Sequence, residues 1–338
     1  MNVGRGERRQ PFAVAFVVVA LLAACSSNGD GDDATTPSTA PTSSSATAQP
    51  EPGSAPAALP LARTEVAGTT WRGLVAIVGG ITADGAASDQ VDFYDPATNR
   101  WRSGPRLPLL LHHAGAAAVG DRLYVVGGYS SRRALSQPVA RVLSLGPDDD
   151  RWREEPSLSA PRGALAVVAV GDRLVAVGGM PEATLRRTEV LTPGAGEWRP
   201  GPDLIEAREH LALAASGGRV YAIGGRVGGL ESNLRSVESW NPAGPAGWRP
   251  EPALNDSRGG TAAAEVRGRP CVAGGEEPRG TIASVECLAA DRWERVGTLA
   301  TPRHGLAVVA IGDRLHVIGG GPTPGLSVSD AHESLATG

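Results

Sequence analysis

Short apolar runs ending in a glycine doublet recur six times along the chain, at Gly79-Gly80, Gly127-Gly128, Gly178-Gly179, Gly224-Gly225, Gly274-Gly275 and Gly319-Gly320. The doublets stand 45 to 51 residues apart, and five of them follow a tryptophan (Trp101, Trp152, Trp198, Trp248, Trp293) by 26 residues. A period of this size marks a supersecondary unit that cannot bury its apolar face alone and must stack on copies of itself. In the third unit, Ala164 to Val170 is apolar, Gly171-Asp172 is a turn, and Leu174 to Val177 leads into the doublet. That pattern predicts a β-hairpin with a two-residue turn. The turn recurs at Gly120-Asp121, Gly217-Gly218 and Gly312-Asp313, so these aspartates read as turn residues and not as ligands. A polar loop of variable length then leads to a short third strand (Val91 to Tyr94, Glu189 to Leu191, Val237 to Trp240), and a Pro-containing turn to the tryptophan strand. No segment keeps a helical period. Four antiparallel strands per unit, with runs too continuous for a one-sided sheet, describe blades buried on both faces.

The order Val78-Gly79-Gly80, Tyr94-Asp95-Pro96, Trp101 resembles the kelch repeat over about residues 60–338, although only Tyr94 keeps the tyrosine and Trp240 replaces it in the fourth unit. The resemblance implies an all-β, six-bladed kelch-type β-propeller, like the central domain of galactose oxidase, with four antiparallel strands per blade. After its doublet the last unit has room for one strand, near Ser327 to Leu335. The segment Pro50 to Leu61 parallels the missing piece, "EPGSAPAALPLAR" against "WRPGPDLIEAR", with Gly53 in the place of tryptophan. The expectation is that this N-terminal strand closes the last blade.

Composition adds a location. Arg5, Arg8 and Arg9 precede the apolar run Phe12 to Ala24, which is too short to span a bilayer. Leu22-Ala23-Ala24-Cys25 resembles the lipobox of bacterial lipoproteins. The domain reading is therefore a signal peptide over 1–24, a disordered Ser/Thr/Pro-rich tether over 25–49, and the propeller over 50–338. Lipidation at Cys25 would hold the protein at the extracytoplasmic face of the cell envelope, with the lipid as its sole membrane contact. The net charge is −4 with no basic block, which argues against nucleic acid as a partner. Cys271 and Cys287 fall on neighbouring strands of the fifth unit, where a disulfide and two buried thiols are both open readings.

Sixteen residues before each doublet stand Arg63, Leu111, Arg162, Arg208, Arg258 and Arg303. Five arginines converging on one channel mouth would suit an anion. The third strand, however, carries Asp92, Glu189, Glu238, Glu286 and Glu333 in the five units that have the arginine, and Leu143 in the one that has Leu111. Joint loss of both partners is what an intrablade ion pair predicts, so these residues read as structural pairs. Binding residues are expected where innermost strands begin, at His112, His113 and His304, and in the long loops, at Arg132, Arg133, Arg226 and Arg235. A similarity to the six-bladed kelch sialic acid mutarotase implies a second, enzymatic reading with Glu209, Arg208 and His210 in the channel. A metal is not expected, because the histidines lie in units two, four and six, which are not neighbours. Kelch-type copper oxidases use a Tyr–Cys crosslink that this chain does not reproduce, so no cofactor is expected. The leading expectation is a monomeric scaffold that binds an envelope or extracellular protein or glycan through its loop face.

Overall fold

Each repeat unit forms one antiparallel sheet in the computed structural model, which describes residues 55–131, 135–181 and 183–337. The expected signal peptide and tether, Cys25, residues 50–54 and the pair Arg132-Arg133 lie outside the described residues. Blade 1 consists of Ala67–Trp71, Leu74–Val78, Val91–Asp95 and Arg100–Ser103. Blade 2 follows with Gly115–Val119, Arg122–Val126, Val142–Leu145 and Arg153–Glu155. Blade 3 has Ala166–Val170, Arg173–Val177, Thr188–Leu191 and Arg199–Pro200, and blade 4 has Ala212–Ser216, Arg219–Ile223, Val237–Trp240 and Arg249–Glu251. In blade 5 the strands are Ala262–Val266, Arg269–Ala273, Ser284–Leu288 and Trp293–Thr298. Blade 6 has Ala307–Ile311, Arg314–Ile318 and His332–Ala336. The first residue of every inner hairpin turn has positive φ, including Arg72 (52°) and Arg267 (53°) as well as Gly120, Gly171, Gly217 and Gly312.

The core is divided among the seams between blades. Each of six buried clusters joins two consecutive blades, from the cluster of Trp71, Phe93, Leu123 and Trp152 between blades 1 and 2 to that of Val75, Ile77, Val309 and Ile318 between blades 1 and 6. No single blade could fold around such half-cores, which is why the repeats must close into a ring.

The repeated frame of the sequence corresponds to interblade stitches. The second glycine of each doublet donates to the carbonyl that stands 16 residues before the next doublet: Gly80 to Leu111, Gly128 to Arg162, Gly179 to Arg208, Gly225 to Arg258 and Gly275 to Arg303, all at 2.8–3.0 Å. Gly320 closes the circle onto Arg63 at 2.8 Å. The first glycine lies at φ 57–68°, and a Cβ on Gly79 or Gly178 would stand 2.4 Å from the carbonyl oxygen of the next blade. Glycine is therefore required there twice over. The tryptophans bolt the same seams: the indoles of Trp152, Trp198, Trp248 and Trp293 donate to the carbonyls of Pro105, Pro156, Pro202 and Pro252 in the preceding blade.

The N-terminal segment supplies the tail of blade 6. Trp101 donates to Ala57, the place that proline holds in the other blades, at 2.8 Å. Leu59 is buried and donates to Asp330 as Leu107 does to Asp89 and Leu204 to Arg186. In the frame of blade 3, the outer strand Arg199–Pro200 corresponds to residues 54 and 55, of which the first is not described. Blade 6 accordingly shows three strands among the described residues, clasped by Ala57 and Leu59. Cys271 and Cys287 face each other in register and form a disulfide.

Candidate functional site

The arginines do not line the channel. Each is fully buried in its own blade and paired with that blade's acid: Arg63 with Asp92, Arg162 with Glu189, Arg208 with Glu238, Arg258 with Glu286 and Arg303 with Glu333. The guanidinium groups of Arg63, Arg208, Arg258 and Arg303 also reach the doublet carbonyl, as in Arg63 to Gly79 (2.9 Å) and Arg208 to Gly224 (2.8 Å). The carboxylates accept from amides before the inner strand, such as Ser159 to Glu189 and Ile205 to Glu238. A buried charge is tolerable when it is paired in this way.

Two residues beyond the arginine position lies a ring at the channel mouth: Glu65, His113, Ala164, His210, Gly260 and Gly305. All six have φ between 50° and 64°. Their backbones hydrogen-bond around the axis, His113 to Glu65, Ala164 to His113, His210 to Ala164, Gly260 to His210 and Gly305 to Gly260, at 2.8–3.1 Å. Val66 donates to Gly305 and completes the circle. A left-handed conformation is costly for side chains of this kind, and such outliers concentrate at functional sites. The ring glycines also make room, because a Cβ on Gly305 would lie 2.5 Å from Glu65 Oε1.

A charged network fills this mouth. Glu65 stands 3.2 Å from His113 Nε2 and 3.3 Å from His304 Nδ1, and His304 Nδ1 is 3.6 Å from Glu276. Arg226 bridges Glu276 at 2.8 Å and Glu209 at 3.0 Å. Glu209 in turn touches His210 Nδ1, and the rings of His210 and His113 meet edge-on at 4.8 Å. Behind them, His112 contacts His113 Nδ1 at 2.5 Å, and the loop of blade 6 covers the group, with Gly325 donating to Glu276 and His304 Nε2 donating to Thr323.

The electrostatics are set by burial and mutual contact. Burial alone would raise the Glu65 carboxyl, but His113, His304 and His210 hold it well below the usual carboxylate range. Burial lowers His113, with Glu65 opposing and Arg226 adding to the shift. His210 is pushed well down by burial, Arg226 and His113. Burial would lower His304 too, yet its contacts with Glu65 and Glu276 raise it. At neutral pH the mouth thus holds an anionic Glu65 beside two neutral imidazoles, the set needed for proton transfer or metal ligation. The pocket at the mouth has a volume of about 120 Å³, and its floor is formed by small residues such as Gly68, Ala116, Ala212 and Ala262.

These positions separate the candidates read from the sequence. His112, His113, His210, His304, Glu209 and Arg226 come together at the mouth. Arg208 stays apart in its pair with Glu238, so the cation beside Glu209 is Arg226. Arg235 is exposed and donates to the Leu254 carbonyl at 2.7 Å, a brace that Arg186 repeats on Leu204. Glu65 and Glu276 were missed in the sequence. Glu65 shares the frame position of His113 and His210, and that register would have found it. Units two and four are not neighbours in the ring, yet His113 and His210 meet across the axis, because the mouth is narrow enough for residues of separate blades to touch.

A family model described as Kelch motif matches residues 110–159 and 207–244, which take in most of blades 2 and 4. Kelch-like protein 35 of Mus musculus is 28% identical over 136 residues, 40% of this chain and 22% of that protein. Kelch repeat and BTB domain-containing protein 13 of Homo sapiens is 36% identical over 129 residues, covering 36% of this chain and 27% of its own length. Beta-scruin of Limulus polyphemus is 28% identical over 119 residues, with 33% of this chain and 13% of that protein covered. The chain therefore spans about a quarter or less of these curated relatives. The solved "Structure of YjhT" superposes with a TM-score of 0.70 at 14% identity, covering 81% of this chain and 95% of that one, a likeness of fold.

Proposed function

We propose that this chain, a six-bladed β-propeller carrying kelch motifs, is a binding protein that takes a protein partner on its loop face. One observation carries the reading. Of the five large apolar side chains exposed among the described residues, three sit in the loops that follow the doublets: Leu135, Val227 and Leu326, at 44%, 44% and 61% exposure. They rise from blades 2, 4 and 6 on the side of the channel mouth. Single exposed apolar residues need no explanation, but three on the same face offer a protein partner separate apolar anchors around a polar centre. The sugar-enzyme reading is the weaker one, because Arg208, the cation it needs in the channel, is buried in its pair with Glu238.

The same reading tethers the propeller outside the cytoplasm by a lipid on Cys25. Its support is the apolar run Phe12 to Ala24 before Cys25, together with the Cys271–Cys287 disulfide, a bond that persists in oxidising compartments. The test is in-cell crosslinking of the full chain against a Leu135→Asp/Val227→Asp/Leu326→Asp variant. Crosslinks to one protein, lost in a variant of unchanged melting temperature, are expected. Crosslinks that persist in the variant would overturn the loop face as the site, and a partner that proves to be a glycan would overturn the protein-binding reading. Cys25→Ser should release the protein into the soluble fraction, and retention in the membrane would refute the lipid tether.

A further inference from the structure

We infer that the channel mouth is a binding site for a first-row divalent transition metal ion, held by Glu65, His113 and His210. One ligand atom from each of the three residues lies within 4.8 Å of the others. Two imidazoles and a carboxylate are a borderline donor set that suits Zn²⁺, with coordination positions left over for water. A tetrahedral ion about 2.1 Å from each donor needs the donors about 3.4 Å apart. Glu65 and His113 already stand at 3.2 Å, so the remaining closure is a side-chain movement of roughly 1 Å.

Three further features favour an ion over a plain hydrogen-bonded cluster. The first is orientation: His210 presents Nδ1 to Glu209 and His113 presents Nδ1 to His112. His113 thereby turns Nε2 toward Glu65. A carboxylate behind a ligating histidine is a recurrent arrangement in metal sites. The second is charge. Among the described residues of the mouth, the acidic side chains Glu65, Glu209 and Glu276 outnumber the one arginine they face, Arg226. Excess buried charge is costly without a counter-ion. The third is rigidity. All three ligands sit on the closed backbone ring in left-handed conformation, so their Cα positions are fixed before any ion arrives. The pocket of about 120 Å³ accepts an ion with its waters.

The site lies beneath the loop face, and its test does not depend on any partner. The full chain, stripped with chelator, is titrated with ZnCl₂ by calorimetry, and one ion per chain is expected. His113→Asn and His210→Asn preserve the backbone, since asparagine tolerates positive φ, and Glu65→Gln is isosteric. Each should weaken binding by at least about 100-fold, a loss exceeding that expected for a supporting residue. Glu209→Gln, a change at a positioning residue, should weaken binding by about 10–100-fold and keep a two-imidazole shell. X-ray absorption on the Zn²⁺-loaded wild type reads that shell directly and does not need a variant that folds. Two imidazoles plus oxygen are expected. An all-oxygen shell, absence of saturable binding, or unchanged affinity in the His113→Asn/His210→Asn double variant would each overturn the proposal.

Discussion

Leu111 and Leu143 occupy, in blade 2, the two positions that an arginine and an acid occupy in the other five blades, and both are buried in one core cluster. An ion pair and an apolar pair thus serve the same place in one fold. The physical reason is that either solution leaves no stranded charge.

That equivalence predicts a mutational rescue. Arg162→Leu leaves Glu189 buried without its cation and should cost about 3–5 kcal/mol. Adding Glu189→Leu recreates the pair found in blade 2 and should recover more than half of the loss in urea unfolding. A double variant no more stable than the single would show that the charge pair has a role the leucines cannot fill.

Glycines at the doublet and at the hairpin turn share a left-handed backbone but not the same space. Gly178 has φ 64° and would place a Cβ 2.4 Å from the Arg208 carbonyl, whereas Gly171 has φ 59° and nothing within 4 Å. Gly178→Asn should therefore destabilise by more than about 2 kcal/mol, against less than about 1 for Gly171→Asn. Equal melting temperatures for the two variants would mean that the interblade stitch yields more easily than its geometry suggests.

The clasp at the N-terminal segment is expected to be as important as any interior leucine. Leu59 is as buried as Leu204, its counterpart between blades 3 and 4. Leu59→Ala and Leu204→Ala should each cost about 2–5 kcal/mol in a single cooperative transition. A small loss at Leu59 alone, or a separate early transition, would show that blade 6 closes without it.

The seam between blades 6 and 1 should loosen in acid. His332 Nδ1 donates to Ala57 at 2.9 Å, so its Nε2 accepts from His316 Nδ1 at 2.8 Å. Burial pushes both imidazoles down, each to about 4 from the ordinary 6.5. Because the unfolded chain takes up these protons first, stability is full above pH 6.5 and falls as the pH drops toward 4. Unfolding midpoints across that window should slope less steeply in a His316→Gln/His332→Gln variant. An unchanged slope would assign the acid sensitivity to other groups.

Much of the architecture was legible because it is written in local spacing. Doublets, turns and tryptophans recur at fixed intervals, and each marks a bond across a seam that every blade must make. The missing arginine and the missing acid of unit two point to each other for the same reason. The outer strand of blade 6 was harder, since only the place of Ala57 and Leu59 in the frame marks the chain's return to it.

By itself, the sequence determined the number of blades, their strand order and the residues that stitch them, because these depend on contacts repeated from one unit to the next. Only the tertiary structure decided that Glu65, His113, His210 and His304, spread over some 240 residues of chain, share one mouth. Distance along a repeat says which blades are neighbours in the ring. It does not say how narrow the ring is, and at this mouth the radius is small enough for blades that never touch at their seams to meet across the axis.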